Sequence, residues 1–170
     1  MGFKKILPEE MNDNLFRLIG KNWALITAGD KNDCNTMTAS WGSFGILWNK
    51  PVVHCFIRPQ RYTYTFVENS DTYTLSFFDE SYRSQLQLCG SKSGRDIDKI
   101  RECGFTTVFA DCGTPYFDEA QLVIICKKLY WHDIQPERFV DRNIIKHYPN
   151  HDYHREYIGE ILEVLVKTEE

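Results

Sequence analysis

Three hydroxyls at alternate positions mark the most informative stretch of this 170-residue chain: Asn35-Thr36-Met37-Thr38-Ala39-Ser40-Trp41, followed by Gly42-Ser43-Phe44-Gly45. In an extended segment Thr36, Thr38 and Ser40 share one side, and Met37, Ala39 and Trp41 the other. A buried strand rarely carries such a row, because each hydroxyl needs a hydrogen-bond partner. Small side chains also let a flat molecule approach the backbone, whose free N–H and C=O groups can bond to it. The stretch reads as a strand edge that holds a planar, heteroatom-rich ring. The other reading of the same residues is a Thr/Ser-rich strand facing water.

The second informative stretch is Arg58-Pro59-Gln60-Arg61-Tyr62-Thr63. Two arginines three residues apart sit at a strand end, followed by a hydroxyl pair at a helix start. Guanidinium forks, hydroxyl donors and a helix N-terminus together suit a phosphate. Taken alone, the arginines are equally a solvated pair beside a turn. With the hydroxyl-rich strand, they describe one ligand with a ring at one end and a phosphate at the other.

His151-Asp152-Tyr153-His154 has the look of a metal pair, but no cysteine or carboxylate cluster completes a ligand set at familiar spacing. No metal site is expected. The chain has six cysteines and no C-x-x-C, so they read as reduced, buried thiols; Cys34, beside the key strand, reads as inert. A G-x-S-x-G nucleophile elbow is missing, which leaves a hydrolase little support.

These residues need elements to position them. Pro8 to Gly20 reads as a short helix with Met11, Leu15, Leu18 and Ile19 as its apolar stripe. Trp23 to Gly29 is a strand, Asp30 to Asp33 a turn, and the hydroxyl-rich stretch the second strand of a hairpin. Trp48-Asn49-Lys50-Pro51 breaks the chain before the strand Val52 to Arg58. Helix is expected over Tyr62–Asn69, Ser81–Cys89, Asp96–Cys103 and Pro136–His147, with a polar loop from Ser91 to Arg95. Thr72–Phe78, Gln121–Trp131 and Tyr157–Lys167 complete the strands, and Thr106 to Ala120 is irregular. On the last strand Ile158, Leu162, Val164 and Val166 are expected to face a core. About six strands with interspersed helices, no βαβ rhythm and no Gly-rich dinucleotide fingerprint indicate a mainly β fold: an antiparallel barrel with peripheral helices.

Composition narrows the function classes. The length predicts one domain, residues 1–170, with a sizeable core. A net charge of −4 argues against a general nucleic-acid binder. No segment approaches a transmembrane span and the N-terminus lacks a long apolar run, so a cytoplasmic protein with no membrane partner is expected.

The hydroxyl-rich strand, the Arg58–Thr63 cluster and a histidine, His154, five residues before Gly159 together resemble the flavin reductase-like, FMN-binding split-barrel family, with its flavoredoxin-type members nearest. The resemblance runs from about Trp23 to Val166. It implies an antiparallel split β-barrel that forms a homodimer and holds FMN near the dimer interface. In that picture Asn35, Thr36, Met37, Thr38, Ala39 and Ser40 meet the isoalloxazine edge and ribityl chain, and Trp41 packs near the ring. Arg58, Arg61, Tyr62 and Thr63 take the phosphate, while Lys92 and Ser93 add flavin contacts. Lys92 near the N1–C2=O edge would stabilise the anionic reduced flavin. His154 is implied beside the reacting face, and His132 is a further candidate to line the ring. The family pattern commonly has aspartate before this histidine; here Tyr153 stands there, and Asp152 is one residue further away. The implied activity is hydride transfer from NADH or NADPH to the flavin, then electron release to a flavin, metal or protein acceptor. The alternatives are a non-catalytic FMN electron carrier and, from another class, a small-ligand binding or sensing module on the same barrel.

Overall fold

The computed structural model describes residues 2–168. Its strands are β1 (Phe3–Ile6), β2 (Ala24–Gly29), β3 (Cys34–Ala39), β4 (Gly42–Leu47), β5 (Lys50–Ile57), β6 (Thr72–Phe77), β7 (Thr107–Phe109), β8 (Pro115–Phe117), β9 (Leu122–Asp133) and β10 (Arg155–Lys167). The α-helices are α1 (Leu15–Arg17), α2 (Tyr62–Asn69), α3 (Arg83–Ser91) and α4 (Lys99–Cys103). No helix among the described residues is long and apolar enough to cross a membrane.

Eight strands form one antiparallel sheet in the order β3-β2-β6-β9-β10-β5-β4, with β1 beside the C-terminal half of β10. The edge strands β3 and β4 are consecutive in the chain, with only Ser40 and Trp41 between them. So short a link reaches about 11 Å at most, so the sheet must curl until its edges nearly meet. Among the described residues no ladder joins those edges. The result is a split barrel, open along β3 and β4 where the hydroxyl-rich stretch lies.

The barrel interior is filled by Ile26, Met37, Val53, Ile57, Tyr73, Leu75, Ile124, Tyr157, Ile161 and Val164, among others. A second cluster, with Leu25, Phe78, Leu86, Phe105, Phe117, Val123 and Ile125, lies outside the sheet under α3, α4 and the β7–β8 hairpin. Strands β2 and β6 and the first half of β9, Leu122 to Cys126, are thus covered on both faces, which explains the apolar runs of β2 and β9.

Several local expectations change for identifiable reasons. Pro8–Gly20 is not one helix: Met11 is extended, the Asn14 side chain restarts the helix by accepting from Arg17 N–H, and a π-turn over Leu18–Asn22 follows. β4 is an additional strand that its two glycines conceal. Trp48 and Asn49, both at positive φ, form the two-residue turn of the β4–β5 hairpin. Asp98 caps α4, so the helix begins after it rather than at Asp96. Asp79, not Ser81, caps the turn that leads into α3, and α3 runs through Gly90. Pro136–His147 is two 3₁₀ segments, Pro136–Arg138 and Arg142–His147, because Asp141 caps a new start at Asn143 N–H.

On β10 the expected phase holds only in the second half. A bulge between Ile161 and Glu163 shifts the register, so Tyr157 and Ile161 face the core before it, and Val164 and Val166 after it. Leu162 sits at the bulge, exposed.

Candidate functional site

β3 forms one wall of the site. Among the described residues it pairs with β2 alone, so its outer backbone edge carries no strand partner there. Met37 and Ala39 point into the barrel core. Thr36 and Thr38 point away from it, yet not into water. The Thr36 hydroxyl is buried and lies 2.9 Å from Thr27 Oγ1 on the neighbouring strand. Thr38 Oγ1 donates to the Leu86 carbonyl of α3 at 2.5 Å. Ser40, past the end of α3's cover, is exposed.

A cavity of about 190 Å³ opens here, lined by Met37, Thr38, Ala39, Ser40, Trp41, Phe56, Arg58, Arg61 and His154. The two arginines differ in their partners. Arg58 donates to Asp152 Oδ2 at 2.6 Å and to the His147 carbonyl at 2.9 Å, so its charge is balanced. Arg61 donates to the Gly90 and Cys89 carbonyls at 2.8 and 2.9 Å, at the C-terminal end of α3. Its partners are neutral, and burial pulls its pKa below the ordinary arginine value. A half-buried guanidinium facing only carbonyls retains charge for an anion.

His154 precedes β10 and is buried against aromatic rings: Trp41 at 5.1 Å, Tyr148 at 5.5 Å and Phe56 at 6.4 Å between centroids. Its Nδ1 meets Tyr148 Oη at 2.9 Å. Burial, then the Arg58 charge, pull its pKa down to about 4, so the imidazole is neutral at neutral pH. Asp152 does not bond to it: Oδ2 accepts from Arg58 and from Gln60 (2.5 Å), and Oδ1 is buried without a partner. Burial alone would raise the Asp152 carboxyl, but those two donors hold it below the ordinary value. His151 is exposed, at positive φ, and pairs with Tyr153 Oη at 3.3 Å.

The other expected residues lie apart from this cavity. Asn35 and Tyr62 line a broader groove of about 880 Å³ with Gly94, Arg95 and Lys99. Arg95 stacks on the Tyr62 ring at 4.7 Å. Thr63 is buried and accepts from Asn35 Nδ2 at 2.8 Å, so both serve each other. Lys92 caps α3 through its backbone N–H, and Ser93 Oγ accepts from Arg95 N–H within the loop. His132 lies on the outer sheet face, where Glu156 bridges it (3.2 Å) and His54 (2.6 Å). Sequence reasoning missed Tyr148 and Phe56. Tyr148 directly follows the expected helix Pro136–His147, and nothing in its spacing marks it as a partner of His154.

A curled antiparallel sheet with a small-residue edge, half-buried arginines and a buried histidine at its split defines a split-barrel fold with a candidate ligand site. Residues 16–170 match the family model described as the flavin reductase like domain, and the chain belongs to that family. Among solved structures, an FMN-binding domain of a flavin reductases-like enzyme from Shewanella baltica superposes with a TM-score of 0.70 at 18% identity, over 96% of this chain and 76% of that one. Flavoredoxin of Desulfovibrio vulgaris (Miyazaki F) gives 0.67 at 23% identity, over 96% and 76%. An NADH:FAD oxidoreductase from Streptomyces globisporus gives 0.61 at 15% identity, over 86% and 75%. At these identities the likeness is one of fold. No curated protein sequence matches the chain.

Proposed function

We propose that the protein binds FMN and accepts hydride from NADH or NADPH onto it, then passes electrons to a flavin, metal or protein acceptor. The observation that carries this reading is the free edge of β3 at Thr38 and Ala39, continued by Ser40, opening on a cavity that Arg61 and His154 also line. These residues fit a flavin: unpaired backbone groups and small side chains suit a planar ring with N–H and C=O edges. Arg61 supplies positive charge for the phosphate. When bound, FMN supplies the hydride acceptor. The chain's own part is placement. Trp41, half-exposed at the rim, shields the cavity from water, and His154 stays unprotonated and orients the nicotinamide without moving a proton.

The cavity of one chain is smaller than the roughly 300–1,000 Å³ usual for ligand sites. This supports a homodimer in which a second copy completes the wall. Light scattering that gives a monomer mass with FMN tightly bound would oppose it.

The test of function is the visible spectrum of the purified protein before and after anaerobic NADH or NADPH. A flavin spectrum that bleaches rapidly is the expected result. The exposed aromatic rim at Trp41 and the likeness to a flavoredoxin favour a second reading, a carrier that trades electrons with a protein partner. Slow bleaching with fast oxidation by such a partner would support it. A colourless protein that takes up no FMN would overturn both.

A further inference from the structure

Tyr148 is 3% exposed, and its hydroxyl meets His154 Nδ1 at 2.9 Å. A phenol and a neutral imidazole can share this contact in two polarities. If Nδ1 carried the proton and donated to Tyr148 Oη, the phenol hydrogen would be stranded. His154 Nδ1 is the one hydrogen-bond partner of that hydroxyl among the described residues. An unmade bond from a buried donor is costly, so the phenol must donate and Nδ1 must accept. The remaining proton of the neutral ring then sits on Nε2.

Two further features point the same way. The Arg58 guanidinium lies 5.0 Å from the Tyr148 ring centre, which favours electron density left on the phenol oxygen as it donates. A carboxylate partner would impose the reverse polarity, because an ionised carboxylate only accepts and Nδ1 would have to carry the proton. The nearby carboxylate, Asp152, is held instead by Arg58 and Gln60.

We infer that Tyr148 is a positioning residue that holds His154 as the neutral Nε2–H tautomer, making it a hydrogen-bond donor toward a carbonyl oxygen of the ligand in the cavity. The choice of a nicotinamide carboxamide as that ligand rests on the proposed function; the tautomer rests on the Tyr148–His154 contact and the burial of both rings. Burial raises the phenol and lowers the imidazole, so both stay neutral across the neutral pH range. The rings of Trp41 and Phe56 pack around the imidazole.

Nitrogen-15 NMR of the full chain labelled at histidine reads the tautomer directly, with no flavin added. The expected spectrum shows His154 with a protonated Nε2 and a hydrogen-bonded, unprotonated Nδ1. A protonated Nδ1 overturns the inference, and this measurement needs no variant. In Tyr148→Phe the His154 nitrogens should move toward mixed-tautomer values; an unchanged spectrum removes Tyr148 from the role. Nicotinamide is the probe for the donor. Its titration into the parent protein should shift the Nε2 resonance most among the His154 signals. Saturation with nicotinamide that leaves Nε2 unmoved overturns the donor assignment. Failure to take up FMN, or to bleach with NAD(P)H, would leave the tautomer result standing, so the two proposals fail separately.

Discussion

Arg58 Nη1 meets Asp152 Oδ2 at 2.6 Å, and this pair ties the end of β5 to the loop that carries His154. Both side chains are largely buried, so the pair escapes the screening that weakens surface ion pairs. Asp152→Asn keeps the shape and removes the charge. It should destabilise the fold by about 1–3 kcal/mol in urea unfolding. The Asp152 pKa is lowered in the folded state, so this contribution is present above the unfolded value of 3.8 and is lost as pH falls below it. An unchanged urea midpoint at pH 7 would show that the pair does not hold the loop.

His154 titrates in the opposite region of chemistry, as a buried base. Its folded pKa is about 4 against 6.5 when free. Between those values the unfolded chain takes up a proton that the folded chain refuses. Stability should therefore fall as pH drops from 6.5 towards 4, by up to about 3 kcal/mol from this residue. His154→Gln should flatten the stability profile in that window. Parallel profiles for variant and parent would refute the shift.

Arg61 has two separable roles. Its bonds to Cys89 and Gly90 cap α3, so Arg61→Ala should lower thermal stability. Its uncompensated charge should also bind the FMN phosphate, and a charge-assisted hydrogen bond is worth roughly 1.5–3 kcal/mol. The variant should bind FMN about tenfold more weakly or worse, with riboflavin much less affected. Equal losses for both ligands would leave Arg61 with the helix cap alone.

Gly159 lies where β10 passes Tyr73 in the core. A Cβ there would collide with Tyr73 Oη and come within 3.0 Å of Cys126 Cβ. Gly159→Ala should cost about 1–3 kcal/mol through overpacking. The Tyr73 hydroxyl itself is buried without a partner, its near neighbours being the weakly bonding thiols of Cys55 and Cys126. Tyr73→Phe should be neutral or stabilising, and should rescue part of the Gly159→Ala loss in thermal melts. Strict additivity of the two changes would place Gly159's constraint elsewhere.

Cysteine shows how proximity in space departs from spacing in sequence. Cys89 and Cys103 do not form a motif, yet their sulfurs lie 3.7 Å apart between α3 and α4. Burial pushes the Cys89 thiol up to about 12 and raises Cys103 as well, which keeps the pair protonated. The sequence reading of buried thiols holds for Cys55, Cys89 and Cys126, whereas Cys34 and Cys103 are partly exposed and Cys112 is exposed; the nearness of Cys89 to Cys103 needed the helix packing.

Local chemistry determined much of this protein. Alternation marked β3 and its hydroxyls, Pro59 ended β5, and the Arg58–Thr63 run placed α2 and two arginines at one strand end. Those features depend on neighbours one to four residues away, which the chain displays directly. The tertiary structure decided the rest. Whether Thr36 and Thr38 faced water or protein depended on β2 and α3, which supply the Thr27 hydroxyl and the Leu86 carbonyl. Thr63 turned inward because Asn35, 28 residues earlier, needed its oxygen. The phase of β10 turned on a bulge set by pairing with β9. His154 owes its polarity to Tyr148, placed by a loop that Arg58, Gln60 and Asp152 help to secure. A hydrogen-bond donor's partner is fixed by distance in three dimensions, and sequence spacing carries that information only within a single turn or strand.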